Sequence, residues 1–209
     1  MINVELEGRL LTLTLNRPEK ANSLTRLMLE ELDAALAQAD LKGVRAIILT
    51  AAGTVFSAGA DLDDARAGLA TDPAWERLSA RVAGLPCLTI AALNGTMAGG
   101  AMGMALACDI RLSVPSAKFF YPVMKLGFMP QPSDPHRMAA LIGPARTKMI
   151  LMCGARIDAT EALAWGLIDR ITPPELLIET ARALAADVMA ASADHVAAIK
   201  RLVPPLKPS

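Results

Sequence analysis

Val44-Arg45-Ala46-Ile47-Ile48-Leu49-Thr50 runs directly into Ala51-Ala52-Gly53-Thr54-Val55-Phe56-Ser57-Ala58-Gly59-Ala60-Asp61-Leu62. The first part follows Gly43 and is almost wholly apolar, the pattern of a strand buried on both faces. The second part is rich in small residues and ends on polar ones. That is what a strand needs where it turns toward a helix. The arrangement repeats. Cys87-Leu88-Thr89-Ile90-Ala91-Ala92-Leu93 reads as a strand and passes into Asn94-Gly95-Thr96-Met97-Ala98-Gly99-Gly100-Ala101-Met102-Gly103. Asp109–Ser113 supplies a third strand. Upstream, Asn3–Glu7 and Leu11–Leu15 alternate with period two around Gly8, which predicts a hairpin of half-buried strands. From Leu24 the period becomes helical, with Leu24, Leu27, Met28, Leu32, Leu36 and Ala39 on one face and Ser23 or Thr25 placed to cap. Further helices are predicted at 74–83, 100–107, 133–142, 145–152, 159–165, 174–190 and 193–202, with a short Leu167–Ile171 strand. Strands alternating with helices argue for an α/β fold with largely parallel pairing. The Pro-rich tail Val203–Ser209 is expected to fray.

Composition narrows the function. The chain has 209 residues, with 21 Lys+Arg against 21 Asp+Glu, so it has no basic excess for a nucleic-acid backbone. Hydrophobic residues make up 53%, which argues against disorder. The longest apolar run, Met97–Cys108, holds glycines and is too short to span a bilayer. The N-terminus lacks the basic and apolar regions of a secretory signal, and Cys87, Cys108 and Cys153 show no CxxC spacing. They read as buried thiols of a reducing compartment, and a cytoplasmic location is expected. The 39 alanines imply close approach of backbones in the core.

The two glycine turns are the chemical feature. Where a strand ends and a helix begins, backbone N–H groups lack partners and the helix dipole is positive. Glycine and alanine let a ligand come close. Two such turns brought together would aim two donors at one oxygen, an oxyanion hole for charge developing on a thioester carbonyl. Either turn alone is also what tight helix–strand packing produces. A dinucleotide loop is a poor fit, because Gly99-Gly100-Ala101-Met102-Gly103 lacks the G-x-G-x-x-G spacing. A serine-protease reading finds no nucleophile elbow to join His136 or His195.

Four ordered motifs resemble the crotonase, or enoyl-CoA hydratase/isomerase, family over about residues 1–200. They are Asn16-Arg17-Pro18 through Asn22-Ser23-Leu24; Phe56-Ser57-Ala58-Gly59-Ala60-Asp61-Leu62; Asn94-Gly95 through Gly99-Gly100 and on to Cys108-Asp109-Ile110-Arg111; and Glu161-Ala162 through Trp165-Gly166-Leu167-Ile168. The resemblance implies an α/β fold, a crotonase-like spiral of ββα units with a helical C-terminal region. Residues 1–132 would form the spiral core with the oxyanion turns, and 133–209 the helical region. It implies a CoA thioester as ligand, no cofactor beyond the CoA moiety, no metal, and a homo-oligomer, trimer or hexamer. By position, the oxyanion donors would be the N–H groups of Ala60 and Gly100. The Ala58 carbonyl would meet the adenine amine. Lys20, Ala21, Asp61 and Leu62 would line the CoA path.

The sequence departs from the family at the acid–base positions. The two glutamates of the hydratases fall on Gly103 and on Val123, in Pro122-Val123-Met124-Lys125-Leu126-Gly127. Neither residue can titrate, and syn hydration needs both a base and an acid. Isomerases that keep only the second glutamate are not matched either. Other members place an Asp at the position of Gln131, an amide that orients water but takes no proton. Nearby remain Tyr121, Asp134 and His136. Asp134 can serve as a displaced base, or pair with His136. Alternatively Ser133 or Asp134 caps the next helix with Pro135 in its first turn, His136 lies on the helix surface, and Tyr121 is a pocket wall. The chain is also shorter than typical members, so coverage of the acyl pocket and the trimer contacts are expected to differ.

Two functions follow from these residues. One is an enzyme of the lyase or isomerase class that stabilises the enolate or oxyanion of an acyl-CoA. The other is a non-catalytic acyl-CoA-binding protein or subunit.

Overall fold

Each long central strand is followed by a short strand that belongs to a different sheet. The computed structural model describes residues 1–41 and 43–203; most of the tail expected to fray lies outside them. In chain order the elements are β1 (Ile2–Glu7), β2 (Leu10–Leu15), α1 (Arg26–Leu41), β3 (Ala46–Ala51), β4 (Val55–Ser57), α2 (Leu62–Arg66), α3 (Ala74–Gly84), β5 (Leu88–Leu93), β6 (Thr96–Ala98), α4 (Met102–Leu106), β7 (Ile110–Ser113), β8 (Lys118–Phe120), α5 (Val123–Leu126), α6 (Asp134–Leu151), β9 (Ile157–Asp158), α7 (Ala159–Trp165), β10 (Arg170–Ile171), α8 (Leu177–Ala190) and α9 (Ala193–Leu202).

The large sheet has the order β1-β2-β3-β5-β7-β10, and the small one β4-β6-β8-β9. From β2 to β10 the large sheet is parallel; only the β1–β2 hairpin is antiparallel. In the small sheet β4, β6 and β8 are parallel and β9 closes antiparallel. The unit β3-β4-helix therefore repeats as β5-β6-helix and β7-β8-helix, which is the expected spiral of ββα units. The strands β4, β6, β8 and β9 have two or three residues each. A period cannot show in so few residues, so periodicity runs each long strand straight into a helix and does not reveal the second sheet.

Burial follows the topology. β3 is buried at every residue, as its apolar run requires. β1 departs from the half-burial expected of it, with Val4 53% exposed, because as the outermost strand it gains cover from one side only. Thr25 rather than Ser23 caps α1, its Oγ1 accepting from Met28 N at 3.2 Å. The helices expected at 133–142 and 145–152 form one element, α6, bent where Gly143 takes φ 80° ahead of Pro144. The alanine excess has the expected use: α8 packs on β5, and Ala91, Ala92, Ala181 and Ala185 are wholly buried. Cys87 and Cys108 are buried, but Cys153 is exposed just beyond α6, against expectation. Ile150 and Leu151 face inward, but the chain turns outward at Met152, which is 56% exposed, and Cys153 follows it. Burial pushes the Cys108 thiol up to about 12, which leaves it unreactive.

Arg111 and Asp109 hold the last third of the chain to the sheet. The Arg111 guanidinium donates to the carbonyls of Leu167 and Cys108 and to Asp169. Asp109 Oδ2 accepts from Thr89 and from Lys200 Nζ, at 3.0 and 2.8 Å. The Cys108-Asp109-Ile110-Arg111 motif is thus a structural joint.

Candidate active site

The first motif builds the site by hydrogen bonding. Ala21 and Asn22 take left-handed backbone angles, φ 49° and 50°. Asn22 is wholly buried. Its Oδ1 accepts from Arg17 N, and its Nδ2 donates to the carbonyls of Ala52 and Val55, each at 2.8 Å. Ala58 N donates to Ala21 O, and Ser57 Oγ donates to Asn22 O. The loop after β2 is thereby sewn to the turn after β4. Replacing Asn22 with Ala strands three buried backbone groups and is expected to cost about 2–3 kcal/mol in chemical unfolding. A change below about 0.5 kcal/mol would contradict this role.

The two glycine turns meet. Leu24 and Ala60 form a parallel bridge in which Leu24 N donates to Gly59 O and Asp61 N donates to Leu24 O. That bridge uses the groups flanking Ala60 and leaves the N–H of Ala60 facing the other way. Gly59 takes φ 96°, and a Cβ there would stand 3.0 Å from Ala98 O and 3.5 Å from Gly99 Cα. Only glycine permits this approach of the β4–α2 turn to the β6–α4 turn. Gly99–Ala101 form a single 3-10 turn leading into α4. The N–H of Gly100 lies in that first turn, where no intrahelical acceptor exists.

The acidic residues after the first turn are structural. Asp61 caps α2, its carboxylate accepting from the N–H groups of Asp63 and Asp64 and from Arg17 Nη1 at 2.7 Å. The Arg17 hydrogen bond holds its carboxyl below the usual range. Lys20 is exposed on the short turn Pro18–Lys20, Ala58 is exposed, and Leu62 is 73% exposed.

Asp134 arrives from a distant part of the chain. It is 0% exposed, and a Cβ on Gly103 would lie 2.8 Å from its Oδ1. The carboxyl of Asp134 thus fills the space a side chain at 103 would enter. Tyr121 Oη donates to Asp134 Oδ2 at 3.0 Å, while Oδ1 is buried without a hydrogen-bond partner. Burial pushes the Asp134 carboxyl up to about 7. Burial, then the Asp134 charge, raises Tyr121 as well, so it keeps its proton. Val123 is buried at the start of α5, and Gln131 is buried with its N–H 3.5 Å from Tyr121 Oη.

Ser133 stands at the N-cap of α6 with Asp134 and Pro135 in the first turn, as the capping alternative places them, but the Ser133 side chain makes no cap hydrogen bond. Ser133 instead donates from its Oγ and, at 3.1 Å, from its N–H to the carboxylate of Glu76 on α3. The pairing of Asp134 with His136 does not form. His136 is exposed, and two residues along a helix turn it to the opposite side. Trp75 and Glu76 are the neighbours that sequence reasoning missed. Trp75 is 4% exposed, donates from Nε1 to Leu69 O at 2.8 Å, and lays its ring against Gly100. As one of two tryptophans in a chain with 3% aromatics, it was the only available hint.

Among the described residues no group of three or more His, Cys, Asp or Glu side chains could hold a metal ion, and no helix is long and apolar enough to cross a membrane.

Comparison with known proteins agrees with the fold. The family model for enoyl-CoA hydratase/isomerase matches residues 5–204. The 1,2-epoxyphenylacetyl-CoA isomerase of Escherichia coli is 34% identical over 190 residues, spanning 86% of this chain and 72% of that protein. The crystal structure of enoyl-CoA hydratase from Bacillus anthracis superposes with a TM-score of 0.89 at 34% identity, covering 97% of this chain and 81% of that one. An enoyl-CoA hydratase/isomerase from Pseudoalteromonas atlantica superposes with a TM-score of 0.89 at 31% identity, covering 97% and 82%.

Proposed function

The chain belongs to the enoyl-CoA hydratase/isomerase family, and from that membership we propose that it processes an acyl-CoA thioester by enolate chemistry with Asp134 as its single proton carrier. In this reading the thioester oxygen sits on the N–H groups of Ala60 and Gly100. The Ala58 carbonyl and the Lys20–Ala21 and Asp61–Leu62 segments face the CoA moiety. The observation that carries the proposal is the Asp134 carboxyl standing where a side chain on Gly103 would be. The two glutamates of the hydratases correspond to Gly103 and Val123, and the chain supplies one carboxyl from α6 in place of the first.

One carboxyl favours isomerisation over hydration. Ionised Asp134 takes a proton from a carbon next to the thioester or conjugated with it. The C–H electron pair becomes the enolate double bond and the negative charge goes to the thioester oxygen. The same carboxyl then returns the proton to another carbon of the enolate, and nothing else is consumed. Hydration would need a second titrating group on water, and Val123 and Gln131 offer none. A carboxyl raised to about 7 is suited to both halves of this shuttle near neutral pH. The name of the Escherichia coli relative, an isomerase of an acyl-CoA, points the same way.

The 0% exposure of Asp134 favours a second reading, a non-catalytic acyl-CoA-binding protein. Deuterium exchange separates the two. The protein is expected to wash deuterium from D2O into the acyl chain of bound butyryl- or crotonyl-CoA, read by mass spectrometry, while hydrating crotonyl-CoA at or near background. Hydration at the rate of an ordinary hydratase would sink the single-carboxyl mechanism. Binding without any exchange would leave the non-catalytic reading.

A further inference from the structure

The acyl-CoA reading leaves the acyl chain open, and the first turn of α3 bears on it. With the thioester oxygen at Ala60 and Gly100 and the proton-bearing carbons at Asp134, the rest of the acyl chain must continue past these groups. What bounds that space is visible. Carbons of the Trp75 six-membered ring lie 3.2 Å from the point where a Cβ on Gly100 would stand. The ring cannot swing away freely, because Trp75 is 4% exposed and its indole N–H is tied to Leu69 O at 2.8 Å. Leu69 is itself 1% exposed. The next residue, Glu76, accepts from Ser133, directly before Asp134. Gln131 reaches toward Ala70 O at 3.5 Å, so the 131–134 segment closes down on the 69–76 segment. On the other side Tyr121, 4% exposed, is held by Asp134. Two cavities of about 240 and 250 Å³ lie elsewhere, one lined by Val4, Leu11 and Ala35, the other by Arg45, Asp194 and Arg201.

Resting on the acyl-CoA reading, we propose that Trp75 is the end wall of the acyl site and restricts the substrate to short acyl chains. A rigid aromatic beside an oxyanion donor blocks an extended chain. Overfilling a packed interior is costly, so a longer chain binds more weakly despite its larger apolar surface.

The test is a chain-length series of butyryl-, octanoyl- and dodecanoyl-CoA, with dissociation constants from calorimetry for the wild type, Trp75→Phe and Trp75→Ala. An open apolar pocket would gain about fourfold in affinity per added methylene. The wild type is instead expected to bind octanoyl-CoA at least about tenfold more weakly than butyryl-CoA. Trp75→Ala is expected to bring octanoyl-CoA at least level with butyryl-CoA, with Trp75→Phe between. Wild-type protein that binds octanoyl-CoA as tightly as butyryl-CoA overturns the proposal. So does a folded Trp75→Ala protein with an unchanged series. Should Trp75→Ala fail to fold, the wild-type and Trp75→Phe series still decide. Failure of the wild type to bind butyryl-CoA would overturn the acyl-CoA reading together with this one. Binding of butyryl-CoA with a flat series would overturn the short-chain wall alone.

Discussion

Replacing Asp134 with Asn is expected to lower deuterium exchange into bound acyl-CoA by about 10³-fold while leaving its dissociation constant within about threefold. The amide has the size of the carboxyl and still accepts the Tyr121 hydroxyl, so packing against Gly103 is kept and only proton transfer is lost. The wild-type exchange rate should rise with pH and level off above about 7, as Asp134 becomes the ionised base. The same substitution should stabilise the fold at alkaline pH. The carboxyl has its ordinary value near 3.8 in the unfolded chain and is pushed up to about 7 by burial in the folded one. Between those values the folded chain holds a proton that the unfolded chain has released, so wild-type stability falls as pH rises through that window. Above it the cost is constant, with a ceiling of about 4 kcal/mol. Asp134→Asn lacks the titration. It should melt above the wild type at pH 8 and close to it at pH 4. Unchanged exchange, or a lower melting temperature at pH 8, would remove Asp134 from the mechanism.

Gly103→Glu restores a carboxylate at the position where the resemblance puts the first hydratase glutamate, and it is expected to do harm. The new Cβ would stand 2.8 Å from Asp134 Oδ1 and 3.2 Å from Oδ2. A second carboxyl would then share a site that already keeps one acid above its ordinary range. The expected loss is about 3–5 kcal/mol in chemical denaturation, with no gain in crotonyl-CoA hydration. Adding Asp134→Gly should return most of that stability, because the two substitutions occupy one space and their effects are coupled. Gly103→Ala, with the clash but no added charge, should cost about 1–3 kcal/mol. If Gly103→Glu alone proved as stable as the wild type, the carboxyl of Asp134 would not be lying on Gly103.

The accuracy of the sequence reading tracks the length of each element. The strands centred on Ile47 and Ile90, the hairpin, and the helices Ala74–Gly84, Ala159–Trp165 and Ala193–Leu202 stand within about two residues of where periodicity places them. Each is long enough, or apolar enough, for one face to declare itself. The small sheet escaped because strands such as Ile157–Asp158 show no alternation, and they form only because the large sheet delivers them side by side. The exposed Cys153 was misjudged for a related reason: it follows the last turn of a helix, where the inward face ends without a local marker.

The two glycine turns were legible because strand-end glycines followed by helix starts are a local pattern. Their purpose was not, since Gly59 acquires its meaning only where Ala98 and Gly99 lie against it. The α/β class, the family motifs and the absence of a titrating side chain at 103 and 123 could all be read from the sequence. These are matters of residue type and short-range spacing. Which carboxyl stands beside Gly103 was settled only by the tertiary structure. Whether Asp134 caps a helix or fills the place of a side chain at Gly103 depends on Glu76 taking the N–H and hydroxyl of Ser133. It also depends on Tyr121 holding the carboxyl inside the fold. Both partners lie outside the helix that Asp134 opens, and burial, which sets its protonation, exists only once they have met.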